Sequence, residues 1–180
     1  RPLIMNAGAS TTGRAFAIRN CDAFFTQADR TSMDTTAAKV KAAKDEAAAQ
    51  GRELDVYAVG VVTCRPTQKE AEEYYHYATI ENGDWSAVDG ILRKKNVSPA
   101  TVGQAEFERQ RQDYVNGMGG IVMIGDPDEV AQMLADLSRA GVRGIGFSFV
   151  NYLEELPFFR EPASVVMRSA ALSSVATGVP

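Results

Sequence analysis

One segment constrains the fold more than any other: residues 56–64, with the sequence VYAVGVVTC, are almost continuously apolar. A membrane-spanning helix needs about 20 such residues, so this run is too short to cross a bilayer. A strand of an antiparallel sheet with one solvated face would alternate apolar and polar side chains. The run is instead typical of a parallel strand covered on both faces, and parallel strands are joined by long, usually helical crossovers. The sequence therefore predicts an α/β fold.

Three further short apolar runs predict three more strands. They cover residues 3–6, 23–26 and 145–150, and the long run predicts a strand over residues 56–63. Each run is followed by a segment with helical spacing, so we expect four parallel βα units. Four units form either a small doubly wound sheet or half of a barrel, because a complete (β/α)8 barrel usually needs about 250 residues.

Capping residues mark the ends of the predicted helices. Asp34 is placed to begin a long helix that Gly51 ends, and Asp126 begins another that Gly141 ends. Aspartate is a favoured N-cap, and glycine is common just past a helix C-terminus because it adopts positive φ freely. A last helix is expected after Pro157.

Residues 65–120 do not follow this alternation. Thr67 and Glu70 form a capping box that predicts a helix rich in aromatic residues. Further helical segments follow, and residues 116–120, NGMGG, have the composition of a hinge. A long excursion between strands is typical of an insertion. We therefore expect a single domain over residues 1–180, with a helical insertion or lid at 65–120 between the third and fourth strands.

The charge balance argues against two classes of partner. Lys and Arg number 19 and Asp and Glu 23, which gives a net charge of −4. Nucleic acids and anionic membranes are bound through cationic fields, so neither is an expected partner. Two cysteines, Cys21 and Cys64, are too few for a disulfide framework or a zinc site, which fits a cytoplasmic protein. The chain opens directly on an apolar run, so we expect it to be part of a longer protein.

The most informative polar segment is the turn after the first strand, residues 6–13, NAGASTTG. Small residues between a strand and a helix let backbone N–H groups approach an anion, and the helix N-terminus adds partial positive charge. The hydroxyls of Ser10, Thr11 and Thr12 add further donors. A phosphate site is one interpretation. The other is that Ser10 or Thr11 only caps the helix and the glycines only permit the turn.

No catalytic set stands out among the remaining residues. His76 is the only histidine and has no carboxylate obviously placed to orient it, so an exposed or half-packed side chain is the favoured interpretation. Cys64 ends the long apolar run without a partner base. Glu154 and Glu155 follow the fourth strand and could face a site, although such pairs are usually solvated. An enzyme built on this chain would therefore need a cofactor for the difficult step.

Two sets of segments resemble the bacterial luciferase-like flavin monooxygenases, in particular the alkanesulfonate, nitrilotriacetate and pyrimidine monooxygenase groups. The first set is NAGASTTGRAFA at 6–17 with CDAFFT at 21–26; the second is GDPDEV at 125–130, then residues 140–142, 146–149 and 152–157. The two sets stand in the family's order and span nearly the whole chain. The resemblance implies a TIM-like barrel, of which this chain supplies the C-terminal half.

The resemblance also implies a cofactor. In the family, the small-residue turn holds the phosphate of FMN, and Gly8, Ala9 and Ser10 match it; Ala9 replaces the first of two serines found in some members, which removes one hydroxyl donor. The family's other flavin and catalytic residues lie mostly in the N-terminal half, so the catalytic residues stay unknown. No metal is implied.

The resemblance further implies a reaction and partners. Reduced FMN from a separate flavin reductase would be used with O2 to oxidise a small organic substrate, beneath the mobile region that residues 65–120 match. One alternative is an oxidoreductase of the same fold that uses the deazaflavin F420. Another is a non-catalytic half-barrel that only associates, either as a homo-oligomer or with the missing N-terminal half.

Overall fold

The computed structural model describes residues 1–8, 10–26, 32–117 and 120–160. The strands are β1 (Met5–Asn6), β2 (Ala23–Thr26), β3 (Asp55–Cys64), β4 (Ile121–Gly125) and β5 (Gly144–Ser148). The helices before β4 are α1 (Thr11–Asn20), α2 (Met33–Ala48), α3 (Gln68–Tyr75), a π-helical segment (His76–Glu81), α4 (Trp85–Lys94), α5 (Pro99–Val102) and α6 (Gln104–Val115). α7 (Pro127–Arg139) follows β4. The described part of a last helix, α8, covers residues 152–160.

All strand pairs are parallel, which confirms the predicted α/β class. β1 pairs with β2, and β2 pairs with the first part of β3. β5 pairs with Tyr57–Val61 of β3. Two of these residues, Tyr57 and Ala58, also pair with β2, so β5 lies on the edge of β3 opposite to β2. Strands β1, β2, β3 and β5 therefore neighbour one another in chain order, as consecutive strands of a barrel do.

The structure has a fifth strand that the sequence did not predict. β4 pairs with residues Gly60–Cys64, the half of β3 that extends beyond the end of β2. β3 is ten residues long and β2 only four. Without β4, the backbone groups along one edge of the second half of β3 would therefore be unpaired. The expectation of four strands was wrong because it leaves out the apolar run IVMIG at 121–125, which is as long as β5 and pairs with the part of β3 that extends beyond β2.

Two helix boundaries also differ from expectation. Ser32 rather than Asp34 is the N-cap of α2, since its side chain accepts a hydrogen bond from the Thr35 N–H. β5 ends at Ser148, and α8 is already helical at residue 152, before Pro157. The predicted stops at Gly51 and Gly141 are confirmed, both at positive φ.

The core lies between the sheet and the helices that cover one of its faces. Ile18 of α1, Val40 of α2 and Leu137 of α7 are buried against Val56 and Val62 of β3 in one apolar cluster. The side chains of β3 that point the other way are less well covered: Tyr57 and Val61 are partly exposed and Val59 is 43% exposed. The expectation that β3 is covered on both faces therefore holds only in part, because Thr63 on this second face is buried whereas Val59 is not.

None of the helices within the described ranges is long and apolar enough to span a membrane. Among the same residues, no group of three or more His, Cys, Asp or Glu side chains is placed to hold a metal ion.

Candidate functional site

The turn between β1 and α1 is built on two glycines in close contact. A Cβ atom placed on Gly13 would lie 2.9 Å from the Gly8 Cα, and one on Gly8 would lie 2.9 Å from the Gly13 Cα. The Gly8 N–H donates to Asn6 Oδ1 at 2.8 Å, which closes the turn locally. Ala9, the middle residue of the predicted phosphate site, lies outside the described residues. Gly8 and Gly13 thus allow the backbone of the turn to pack closely against the start of α1.

Ser10 is the N-cap of α1. Its Oγ accepts a hydrogen bond from the Gly13 N–H at 3.0 Å, and its side chain is exposed. Accepting that bond leaves the hydroxyl proton free to donate outward. The N–H groups of Thr11 and Thr12, at the first two helical positions, have no intrahelical acceptor, and the first turn of α1 carries no acidic side chain. The cap and the phosphate interpretations therefore fit the same geometry.

The carboxyl ends of the parallel strands meet at one edge of the sheet, where barrel enzymes bind their ligands. The β1–α1 turn, the β3–α3 connection and the β5–α8 connection all lie at this edge. The last two are joined by a buried ion pair: Arg65 Nη2, directly after β3, lies 3.4 Å from Glu155 Oε1 on α8. The Arg65 guanidinium carbon lies 3.8 Å from the centroid of the Tyr74 ring.

Arg65 and Tyr74 were not singled out in the sequence. The available signal was the position of Arg65, a cation placed directly after a buried apolar strand. The two glutamates that follow β5 differ in exposure: Glu154 is exposed, whereas Glu155 is completely buried. Burial raises the pKa of Glu155, while a hydrogen bond from the Asn151 backbone and the charge of Arg65 act in the opposite direction.

Cys64 is buried at the end of β3. Burial is the main cause that raises the pKa of its thiol to about 11, and the nearby Asp126 carboxylate acts in the same direction. A thiol with such a pKa is almost entirely protonated at neutral pH, so Cys64 is not an activated nucleophile.

We expect neither cysteine to react in the native protein, because Cys21 and Cys64 are both buried. At pH 8, a thiol with the pKa of Cys64 is ionised only about once in a thousand molecules. An aromatic disulfide reagent should therefore label two thiols in denaturant and none rapidly in native buffer. Fast labelling of one thiol in the folded chain would contradict this assignment.

His76 does have a carboxylate neighbour, which corrects the sequence-based expectation. Its Nδ1 lies 3.0 Å from Glu81 Oε1 across the π-helical segment, where residues five apart come together. Both side chains are exposed, so the contact contributes little to stability. The structure does not bring His76 together with Ser10, Cys64 or Glu155 in any described contact.

Comparison with known proteins agrees with this arrangement. The chain is 25% identical to a sulfoquinovose monooxygenase of Agrobacterium fabrum, a match that covers 99% of this chain and 50% of that protein. It is 28% identical to an FMNH2-dependent dimethylsulfone monooxygenase of Pseudomonas putida, over 88% of this chain and 44% of that protein. The chain thus spans about half the length of the curated relatives it matches.

Solved structures show the same fold. A riboflavin lyase crystallised with modified FMN and riboflavin superposes with a TM-score of 0.75 at 21% identity, over 94% of this chain and 43% of that one. An F420-dependent secondary alcohol dehydrogenase superposes less well, with a TM-score of 0.58 at 14% identity, over 92% of this chain and 49% of that one.

A family model gives the most extensive assignment. The model for luciferase-like monooxygenases matches residues 1–144, which include the β1–α1 turn, all of β3 and the helices between β3 and β4. Together with the parallel sheet, this match shows that the chain belongs to the luciferase-like monooxygenase family.

Proposed function

We propose that the chain is part of a flavin-dependent monooxygenase that uses reduced FMN and O2 to oxidise a small organic substrate. The family match and the FMNH2-dependent relative support this proposal. The single observation that carries it is the geometry of the β1–α1 turn. There, the N-cap hydroxyl is exposed, the first N–H groups of α1 have no intrahelical acceptor, and the first turn carries no acidic side chain.

Gly8, Ala9 and Ser10 would hold the FMN phosphate. In the turn as it stands, Ser10 keeps its cap and can donate its hydroxyl proton to a phosphate oxygen. The N–H groups of Thr11 and Thr12 can donate alongside it, and the helix dipole favours the negative charge. The bound flavin would supply the oxygen chemistry. The chain's own residues would anchor the phosphate and help to exclude water.

The relatives named above support a proposal for the substrate class. Sulfoquinovose and dimethylsulfone are both small organosulfur compounds, so we propose a substrate of that class. The experiment is to supply the protein with a flavin reductase, NADH, FMN and air, and to follow consumption of dimethylsulfone and of a sugar sulfonate. The assay uses the protein together with the part that completes the barrel, because this chain alone is expected to be incomplete for catalysis. Consumption that requires both FMN and O2 supports the proposal, and turnover of neither substrate counts against this substrate class.

A deazaflavin cofactor is the second candidate. An F420-dependent dehydrogenase shares the fold. The relatives that match by sequence include FMNH2-dependent proteins, which favours FMN. Titrating both cofactors under identical conditions separates the two, because a flavin site of the proposed kind should prefer FMN.

The partners we propose are a flavin reductase and a second protein surface that completes the barrel, either a second copy or an N-terminal half. We also propose that the helices between β3 and β4, within residues 65–120, cover the substrate as a lid. A cytoplasmic location stays a prediction from the sequence.

We expect the isolated chain to associate in solution. The sheet face that carries Tyr57 and Val59 is only partly covered, and Leu3 and Met5 near the start of the chain are exposed as well. Apolar faces and open sheet edges of this kind favour association. Sedimentation velocity should show species heavier than one chain, and Val59→Lys should shift them toward monomer. A sharp monomer that unfolds cooperatively would contradict this expectation.

A further inference from the structure

Two buried charges at the carboxyl edge of the sheet have no part in the proposed phosphate site. Glu155 is completely buried, and the Arg65 side chain is 11% exposed. They lie 3.4 Å apart, and Glu155 Oε1 has no hydrogen-bond partner. Replacing a buried ion pair by apolar side chains of similar volume is often neutral or stabilising. Stability alone therefore gives a poor account of this pair.

The pair joins two connections that are far apart in sequence. Glu155 Oε2 accepts a hydrogen bond from the Asn151 N–H at 3.3 Å, so the carboxylate contacts the backbone of the β5–α8 connection. Arg65 Nη1 donates to the Cys64 carbonyl at 3.3 Å, and the Arg65 guanidinium lies over the Tyr74 ring. The ion pair thus ties the segment after β5 to the segment after β3, its neighbour in the sheet.

The segment fixed in this way is residues 149–153, which comprise the β5–α8 connection and the first two residues of α8. The Phe149 ring lies 5.3 Å from the Phe159 ring, centroid to centroid, which holds one end of the segment against α8. Val150, Tyr152 and Leu153 are exposed, and Leu153 is 74% exposed. The backbone of residues 149–153 is therefore held by buried groups, and its apolar side chains are exposed at the carboxyl ends of the strands. This arrangement is typical of a preorganised binding surface in a barrel.

We propose that Arg65 and Glu155 are positioning residues that hold residues 149–153 in place where the flavin binds. The binding role of the segment rests on the proposed function. The positioning itself can be measured without any flavin.

The test compares Arg65→Met with the unchanged chain by amide hydrogen exchange. Arg65→Met removes the guanidinium charge that holds the Glu155 carboxylate against residues 149–153. We expect exchange at residues 149–153 to become about tenfold faster or more, because a charge-assisted hydrogen bond is weakened. The Arg65 variant does not alter the segment itself, so faster exchange there reports the connection between the two loops.

Two further variants sharpen the comparison. Arg65→Lys keeps the charge but loses the planar guanidinium over Tyr74, so it should have an intermediate effect; it also serves if Arg65→Met does not fold. Arg111→Met is the matched control, because Arg111 pairs with Asp89 at 2.6 Å and lies over the Trp85 ring, between α4 and α6. It should leave exchange at 149–153 unchanged.

FMN titration of the same variants gives the second measurement. We expect Arg65→Met to weaken FMN binding about two- to thirtyfold, the usual range for coupling through a packed network. Unchanged exchange at 149–153, or uniformly faster exchange throughout the chain, would overturn the positioning role. Faster exchange with unchanged FMN affinity would overturn its role in flavin binding. The titration is made on the complete protein, in which this chain has the surface that completes the barrel. If that protein binds no FMN, the proposed function fails, and the exchange measurement still decides whether the pair positions the segment.

Discussion

Ser10→Asp is expected to weaken FMN binding by on the order of a hundredfold or more while leaving the chain as stable as before. Aspartate is as good an N-cap as serine and suits the positive end of the helix dipole, so the cap on the Gly13 N–H is retained. It removes the outward hydroxyl donor and places a carboxylate beside the phosphate. At a separation of about 5 Å near a protein surface, each pair of like charges costs about 3 kcal/mol. Fluorescence titration with FMN, alongside a thermal melt, measures both quantities.

Three controls isolate the phosphate contribution. Riboflavin lacks the phosphate, so its affinity should not change in Ser10→Asp. Ser10→Ala should weaken FMN binding about ten- to a hundredfold and also cost about 1 kcal/mol of stability through the lost cap. Ser32→Ala removes the equivalent cap of α2, where Ser32 Oγ accepts from the Thr35 N–H at 3.1 Å, and should lower stability only. Equal FMN affinity in Ser10→Asp and the unchanged chain would reduce Ser10 to a helix cap.

The predicted elements that the structure confirms have local causes. The strand at 23–26 and the cap at Asp126 are recognisable because side-chain alternation, apolar runs and capping residues act within a few residues of sequence. The same holds for the β1–α1 turn, where the small residues and the N-cap stand side by side. Such features can be predicted from one sequence because the interactions that produce them are short-range.

The missed features depend on distant parts of the chain. β4 is a local apolar run at 121–125, but only the extension of β3 beyond β2 gives it a partner, and no short window of sequence contains that difference in length. Glu155 was a candidate by its place after a strand, but its pairing with Arg65 could not be predicted, because only the parallel pairing of β3 with β5 brings their connections together. The exposure of Val59 also depends on distant parts of the molecule. Whether the second face of the sheet is covered depends on how the sheet closes, which the residues around Val59 do not determine.

Gly13→Ala is the second change with a large expected effect. A Cβ at Gly13 would lie 2.9 Å from the Gly8 Cα and 3.1 Å from the Gly8 carbonyl carbon and oxygen. All three are backbone atoms, so neither side can yield by rotating a side chain, and α1 must move away from the turn. Overpacking of this kind costs about 1–3 kcal/mol. We expect a melting temperature lower by roughly 2–12 °C, at about 2–4 °C per kcal/mol for a chain of this size, together with weaker FMN binding.

Gly90→Ala is the control with the opposite expected sign. Gly90 lies within α4, and a Cβ placed on it meets no atom within 4 Å. Alanine is favoured over glycine inside a helix by about 1 kcal/mol, so this change should raise the melting temperature. Gly13 is also helical, at the third position of α1, and would gain from the same preference if the space were free. A higher melting temperature in both variants would therefore show that Gly8 and Gly13 do not pack as described. A lower one in Gly13→Ala alone would show that the two glycines set the shape of the turn on which the proposed phosphate site depends.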